Sequence, residues 1–107
     1  MSEIRDVTDE SFETDVLASA RPVIVEYWAP WCGPCRQVGP VVEAIAAEHA
    51  GKVEVVKVNT DENPAIVRSY GVLHVPTISL FSGGEVVRQV IGAKSKSALL
   101  AEFADFI

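Results

Sequence analysis

The chain has 107 residues, of which 49% are hydrophobic and 22% charged, a composition typical of one folded domain. Nine Lys and Arg residues against fifteen Asp and Glu residues give a net charge of −6, which excludes the basic surface that nucleic acids and anionic membranes require. No apolar run approaches the roughly 18 residues of a membrane span. Residues 1–10 are acidic and lack the apolar segment of a signal peptide, so we expect a soluble intracellular protein.

The N-terminal half contains two predicted strand–helix units. Residues 4–7 are a candidate short strand, and Thr8 or Asp9 can cap a helix whose apolar positions follow at helical spacing. Residues 23–28 (VIVEYW) form a β-rich run without polar alternation, as expected for a strand covered on both faces. A long helical pattern follows, from about residue 34 to residue 49.

The second half is predicted to contain three further strands, at residues 53–58, 77–81 and 85–91. Asn63 is predicted to cap a short helix that begins at Pro64 and ends at Gly71, and Ser95 or Ser97 to cap the last helix. Strands separated by helices favour parallel pairing, and the closing hairpin adds an antiparallel edge. We therefore predict an α/β fold with a central mixed five-stranded sheet flanked by four helices.

Both cysteines lie where the 23–28 strand leads into the long helix. Cys32 and Cys35 stand three residues apart, a spacing that on a helix separates the Cβ atoms by roughly 5–6 Å, close to disulfide range. A disulfide that closes so short a loop stabilises by only about 2 kcal/mol, so a structural role is a poor explanation. A zinc site with His49 and His74 would miss the usual finger spacing.

The position of the pair on the helix predicts different roles for its members. Pro34 suits the first helical turn, which puts Cys32 at the N-terminal end. Unsatisfied backbone N–H groups and the positive end of the helix dipole favour a thiolate there. Cys35, deeper and desolvated, is expected to stay protonated longer. We therefore predict that Cys32 attacks and that Cys35 resolves.

Residues 28–36 (WAPWCGPCR) resemble the active-site sequence of the thioredoxin family. Similar segments extend over nearly all of the chain: residues 57–64 (KVNTDENP), 70–71 (YG), 75–77 (VPT), Gly84 and Gly92. The resemblance implies a single thioredoxin domain over residues 1–107, with the thioredoxin fold. It also implies a cytoplasmic protein-disulfide reductase, which cycles between the Cys32–Cys35 dithiol and disulfide through a mixed disulfide with its substrate.

The family also implies the partners of this chain. They are disulfide-containing protein substrates and an NADPH-dependent, flavin-containing thioredoxin reductase. Both cofactors belong to the reductase, and the chain contains no dinucleotide-binding motif, so we expect it to bind no cofactor and no metal. We expect it to act as a monomer.

Two opposite charges interrupt the two most apolar predicted strands. Glu26 and Lys57 should be neighbours, because a lone buried charge is costly. In one interpretation they form a buried ion pair that neutralises both charges and has no catalytic role. In the other, Glu26 exchanges a proton with Cys35, directly or through a water molecule. Burial should raise the pKa of Glu26, and the positive charge of Lys57 should lower it. Thioredoxins usually carry Asp here, one methylene shorter.

Residues around the cysteine pair are predicted to bind substrate. Trp31 lies in a turn where its indole should be exposed, so contact with an incoming protein is favoured over a packing role. The resemblance implies a cis Val75–Pro76 bond against the cysteine pair, which leaves the Val75 backbone available to an extended substrate segment. Gly92 and Ala93 complete an apolar rim, where glycine permits close backbone approach. The whole predicted set is Trp31, Gly33, Pro34, Val75, Pro76, Gly92 and Ala93.

His74 departs from the family pattern, in which a small residue is common. It is either a solvent-facing loop residue or a modulator that, when protonated, stabilises the Cys32 thiolate. Two other functions compete with the reductase. One is a non-catalytic binding module that uses the apolar rim around Trp31; the other is an oxidising or isomerising enzyme of the same fold, which the intervening Gly33 and Pro34 disfavour.

Overall fold

A five-stranded mixed sheet forms the centre of residues 4–107, the part of the chain that the computed structural model describes. Its strands are β1 (Arg5–Asp6), β2 (Val23–Trp28), β3 (Glu54–Asn59), β4 (Thr77–Ser82) and β5 (Glu85–Ile91). Their order is β1-β3-β2-β4-β5, with β3 parallel to β1 and β2, and β4 antiparallel to β2 and β5. The predicted mixed sheet is confirmed; β1 is shorter than expected because only two of its residues pair with β3.

Four helical segments cover the two faces of this sheet within residues 4–107. They are a π-helical turn (Glu13–Leu17), α1 (Gly33–Glu48), α2 (Pro64–Tyr70) and α3 (Lys96–Phe103). Residues of α1 and α3 pack on one face, in a cluster with Ile24 and Leu80. The π-helical turn and α2 pack on the other face, in a cluster with Val25 and Tyr27. No helix in this part of the chain is long and apolar enough to span a membrane.

The alternation of side chains along β2 and β3 places two charged residues on the face covered by α1. Val25 and Tyr27 belong to the opposite cluster, so Glu26 between them points toward α1. Lys57 lies on the same face by the same alternation, because Val56 and Val58 pack in the opposite cluster. Glu26 and Lys57 are direct register partners across the parallel pair, which confirms that they are neighbours.

The side chain that caps α2 comes from another part of the chain. Asn63 occupies the N-cap position but does not cap with its side chain; its amide oxygen instead accepts from the Asp9 backbone N–H at 2.8 Å. The Asp9 carboxylate accepts from the backbone N–H groups of Ala65 and Ile66, at 3.2 and 2.9 Å. Of the two caps predicted for the first helix, Asp9 is wrong because it caps α2 across the fold. The Thr8 hydroxyl does accept from the Ser11 backbone N–H at 3.3 Å, in the turn that leads into the π-helical segment.

Three other predicted features of the C-terminal half are confirmed, whereas β3 begins and ends one residue later than predicted and β4 ends one residue later. Gly71 ends α2 in the left-handed conformation (φ 60°), which glycine adopts without a steric penalty. Gly83 and Gly84 form the tight hairpin turn with positive φ angles, as a two-residue turn between twisted strands requires. The Ser95 hydroxyl accepts from the Ala98 backbone N–H and caps α3. Residues 1–3 of the predicted domain lie outside the described part of the chain.

Candidate active site

The two cysteines form a disulfide at the first turn of α1. Cys32 is the N-cap residue, and Gly33 and Pro34 begin the helix. The Cα atoms of the pair are 5.4 Å apart. The Cys35 backbone N–H donates to the Cys32 sulfur at 3.2 Å, so one of the otherwise unsatisfied N–H groups of the helix end points at this atom. The same N–H group and the helix dipole favour a negative charge on Cys32 when the bridge is open.

Burial does not distinguish the two cysteines in this disulfide form. The exposed fractions are 4% for Cys32 and 6% for Cys35, so the expectation that Cys35 is the more desolvated residue is wrong here. The strand-to-helix turn and Ala29 cover both residues, and Trp28 and Val75 pack against them. The difference between the cysteines is therefore one of hydrogen bonding and helix position, with Cys32 accepting a backbone N–H as the N-cap residue.

A cavity of about 410 Å³ lies beside the disulfide, between α1 and the strands β2 and β3. Cys32, Cys35 and Glu26 all contribute to its wall. Trp28 also lines the cavity, and within residues 4–107 its buried indole N–H has no hydrogen-bond partner. The cavity joins the buried carboxyl to the cysteines through a space that can hold water. Its complete lining is Ile4, Glu26, Trp28, Ala29, Pro30, Cys32, Cys35, Arg36, Gly39, Glu43 and Lys57.

Glu26 has the electrostatic properties of a proton donor and acceptor near neutral pH. Only 5% of the residue is exposed, and burial raises its pKa to about 7. The positive charge of Lys57 lowers the pKa, and the negative charge of Glu43 raises it. The predicted direction and its two named causes are confirmed, whereas the contribution of Glu43 is visible only in the structure.

Lys57 is not the buried half of an ion pair. Its side chain is 36% exposed, and its ammonium lies 4.0 Å from a carboxylate oxygen of Asp6. The ammonium also lies 5.6 Å from the centre of the Trp28 ring. Within residues 4–107, no ion pair within 4.0 Å joins Lys57 to Glu26. The interpretation of Glu26 and Lys57 as a buried ion pair is therefore wrong, because the lysine side chain reaches solvent at the sheet edge.

The loop before β4 brings a second part of the chain against the cysteines. The Val75–Pro76 peptide bond is cis, as the family resemblance implies. Val75 packs against the cysteine cluster, and the Pro76 carbonyl accepts from the Gly92 backbone N–H at 2.9 Å. Gly92 has a φ of 99°, and a Cβ atom there would meet no atom within 4 Å. The backbone conformation therefore requires glycine at this position, whereas no neighbouring atom within residues 4–107 does.

The exposed indole of Trp31 is held in place by Asp61, a residue that the sequence did not point to. The side chain is 69% exposed, as predicted. Its indole N–H donates to both carboxylate oxygens of Asp61, at 3.1 and 3.2 Å. No pattern in the sequence marks Asp61, because the 30 residues that separate it from Trp31 give no local signal of the contact.

An apolar groove of about 250 Å³ lies between Trp31 and the loop before the cis proline. Leu73 and His74 contribute to its wall, and Leu73 is 85% exposed. Thr60 and Val75 also line it. The structure therefore places His74 in this groove as an exposed loop residue, and the exposure of Leu73, an apolar side chain, was not anticipated. Gly33, Pro34 and Ala93, the other predicted surface residues, are exposed, and Pro76 is buried.

We expect the buried Glu26 carboxyl to make stability depend on pH. Its pKa in the folded chain, about 7, lies above the ordinary value of 4.5, so the folded state is penalised as pH rises from 4.5 to 7. Glu26→Gln should therefore stabilise the oxidised protein by up to roughly 3 kcal/mol at pH 8 and much less at pH 4. Urea unfolding at both pH values measures the difference, with the exposed Glu62→Gln as a control. An equal effect of Glu26→Gln at pH 4 and pH 8 would contradict the assignment.

Comparison with known proteins agrees with this geometry. The thioredoxin family model matches residues 3–105. The chain is 55% identical to a thioredoxin of Streptomyces clavuligerus over 97 residues, which cover 91% of this chain and 90% of the relative. It is 49% identical to a thioredoxin of Synechocystis over 107 residues and the full length of both. It is also 47% identical to a bifunctional thioredoxin reductase/thioredoxin of Mycobacterium leprae, over 95% of this chain and 22% of that protein.

These matches cover nearly the whole chain, and the residues that form the disulfide lie within all of them. A cysteine pair at the first turn of a helix, able to open and close, is the chemical requirement for exchanging electrons with other disulfides. The chain belongs to the thioredoxin family, and it is a protein-disulfide oxidoreductase that works through Cys32 and Cys35.

Proposed function

We propose that this chain carries electrons in the cytoplasm from an NADPH-dependent, flavin-containing thioredoxin reductase to protein disulfides, acting as a single-domain monomer. One observation carries the proposal: the Cys32 sulfur accepts a backbone N–H at the first turn of α1, beside a cavity that holds a buried carboxyl. The bifunctional reductase/thioredoxin of Mycobacterium leprae, whose thioredoxin part resembles this chain, supports a reductase as the electron source.

The first step forms the mixed disulfide. The Cys32 thiolate attacks one sulfur of the substrate disulfide, the substrate S–S bond breaks, and the released substrate sulfur takes a proton from solvent. The N–H of Cys35 and the end of α1 stabilise the attacking thiolate, which is why Cys32 rather than Cys35 attacks.

The second step releases the reduced substrate. The Cys35 thiol loses its proton, its sulfur attacks the Cys32 sulfur, and the bond between Cys32 and the substrate breaks. The released substrate sulfur takes a proton from solvent. The substrate leaves as a dithiol, and two electrons have passed from this chain to it. The chain is left as the disulfide, which the reductase dithiol reduces by the same exchange in reverse.

Glu26 is the proposed acceptor of the Cys35 proton. Both residues line the same cavity, and the pKa of Glu26, about 7, allows the carboxyl to take up and return a proton near neutral pH. The longer Glu26 side chain replaces the usual Asp, and the indole N–H of Trp28 offers a donor to a water molecule between carboxyl and thiol. Lys57 acts through its charge, which keeps the carboxylate form accessible.

The proposed substrate surface surrounds the disulfide on its solvent side. The backbone of Val75, which precedes β4, pairs with an extended substrate segment, and Gly33, Pro34, Gly92 and Ala93 border it. Pro76 holds this loop in place through its bond to Gly92. The modulation of the Cys32 thiolate by His74 remains a prediction.

The groove beside Trp31 is the part of this proposed surface that determines which substrates bind best. Leu73 and Trp31 are exposed by 85% and 69%, and both line the groove. Covering two large apolar side chains that are exposed to water lowers the free energy of the complex. We therefore expect the groove to bind an apolar side chain of the substrate, close to its disulfide.

The reductase function predicts a specific pattern of cysteine variants. With NADPH and a thioredoxin reductase, the wild-type chain should reduce insulin disulfides continuously, as followed by NADPH oxidation. Cys32→Ser should abolish the reaction because no attacking thiolate remains. Cys35→Ser should stop after one event and accumulate a mixed disulfide that non-reducing electrophoresis detects.

Two results would contradict the reductase function. One is a double variant, Cys32→Ser with Cys35→Ser, that still performs the cellular role of the wild type, as a non-catalytic binding module would. The other is a reduction potential in the range of oxidising enzymes, measured by equilibration with glutathione.

The proton relay predicts a pH-dependent defect in the second step. Glu26→Gln should slow release of substrate from a preformed mixed disulfide roughly 100-fold at pH 7, because the general base is absent. The rates should converge at high pH, where the Cys35 thiol ionises unaided. Stopped-flow measurement of product release checks this, and Glu26→Asp should retain the step. Unchanged turnover of a folded Glu26→Gln variant across neutral pH would exclude the relay.

The apolar groove predicts a change in KM rather than in kcat. Leu73→Ser should raise the KM for insulin roughly fivefold, equivalent to about 1 kcal/mol of lost apolar contact. Reduction of hydroxyethyl disulfide, too small to reach the groove, should stay unchanged. Val86→Ser, which alters another exposed apolar residue on β5, is the matched control. Equal KM values for the Leu73 and Val86 variants would remove the groove from the substrate surface.

A further inference from the structure

The cavity beside the disulfide is lined by two carboxylates, and the mechanism above uses only one. Glu26 is buried in its wall. Glu43, on α1, also lines the cavity but is exposed, which places it at the rim. Within residues 4–107, Glu43 forms no ion pair, so its charge is not neutralised by a partner at the surface.

The helix brings Glu43 into line with the resolving cysteine. Cys35, Gly39 and Glu43 follow one another at intervals of about one turn, so they lie along one ridge of α1, and all three line the cavity. Gly39 has no side chain to fill the space between the other two, and a Cβ atom there would meet nothing within 4 Å. Glycine inside a helix costs about 1 kcal/mol relative to alanine, and no contact within residues 4–107 requires it here. The space between Glu43 and the interior of the cavity is therefore open.

The charges that face Glu26 come from three elements. Arg36 and Glu43 line the cavity from α1, and Cys35 lies on the same helix. Lys57 faces it from β3, with Asp6 of β1 4.0 Å from the lysine ammonium. Lys57 and Glu43 act on Glu26 in opposite directions, since a cation favours the carboxylate and an anion favours the protonated acid.

We propose that Glu43 is a positioning residue of the resolving step: from the rim of the cavity, its carboxylate opposes Lys57 and sets the pH at which Glu26 accepts the proton of Cys35. The inference rests on the proposed role of Glu26 as proton acceptor. Glu43 touches no reacting atom and acts through Glu26 alone. Burial is the main reason that Glu26 keeps its proton in the oxidised chain, and the Glu43 charge adds to this effect against Lys57. The proton is then available when the reductase opens the disulfide and the Cys35 sulfur leaves.

The experiment compares the pH profile of the resolving step in charge variants. Glu43→Gln should move the acid limb of the profile to lower pH by roughly 0.3–1 unit, the effect of one charge acting through a solvated cavity. Lys57→Met should move it to higher pH. Glu48→Gln removes the same charge from the same helix, outside the cavity lining, and should leave the profile in place.

A second measurement separates this inference from the proposed relay. The titration of the Glu26 side-chain carboxyl, followed by NMR in the oxidised protein, requires no activity and should show the same shift in Glu43→Gln. An unchanged Glu26 midpoint overturns the inference even if the relay operates. If the Glu26 midpoint shifts in Glu43→Gln but the pH profile of the resolving step does not, the proposed relay is wrong and the inference fails with it. Equal shifts in Glu43→Gln and Glu48→Gln overturn it as well, because the effect would then be one of net charge.

Discussion

The hydrogen bond from the Cys35 backbone N–H to the Cys32 sulfur is the interaction on which the chemistry depends. It exists because Cys32 is the N-cap residue of α1, where the first N–H groups of a helix have no partner within the helix. A sulfur placed there is stabilised as an anion without a neighbouring cation. The strand β2 and the turn after it hold this helix end at the carboxyl end of the central strand, so the sheet fixes the position of the Cys32 sulfur.

The second constraint is the burial of a carboxyl behind that sulfur. Glu26 lies on the apolar face of the sheet covered by α1, and desolvation shifts its pKa toward neutrality. Lys57 opposes the shift without neutralising the carboxyl, because its ammonium extends to the sheet edge near Asp6. A tighter ion pair would hold Glu26 as a permanent carboxylate, and it could no longer return a proton. In the proposed relay, this loose arrangement lets Glu26 both accept and return a proton, and the proposed role of Glu43 acts in the same direction.

The surface around the disulfide is assembled from segments distant in sequence. Trp31 is oriented by Asp61, and the loop that carries Val75 is joined to Gly92 through the carbonyl of Pro76. These contacts link the loops after β2, β3 and β5 to the loop before β4. These hydrogen bonds between loops preorganise the proposed substrate surface, which reduces the entropy lost on binding.

Local patterns in the chain were enough to predict the order of the elements, the mixed sheet and different roles for Cys32 and Cys35, because hydrophobic periodicity, proline and glycine act over a few residues. The contacts between distant groups could not be predicted in this way. Asp9 caps α2 instead of the helix that follows it, Lys57 reaches solvent, and Glu43 faces the cavity of Glu26. Such contacts depend on how helices and strands pack across the fold, and no local pattern of residues encodes them.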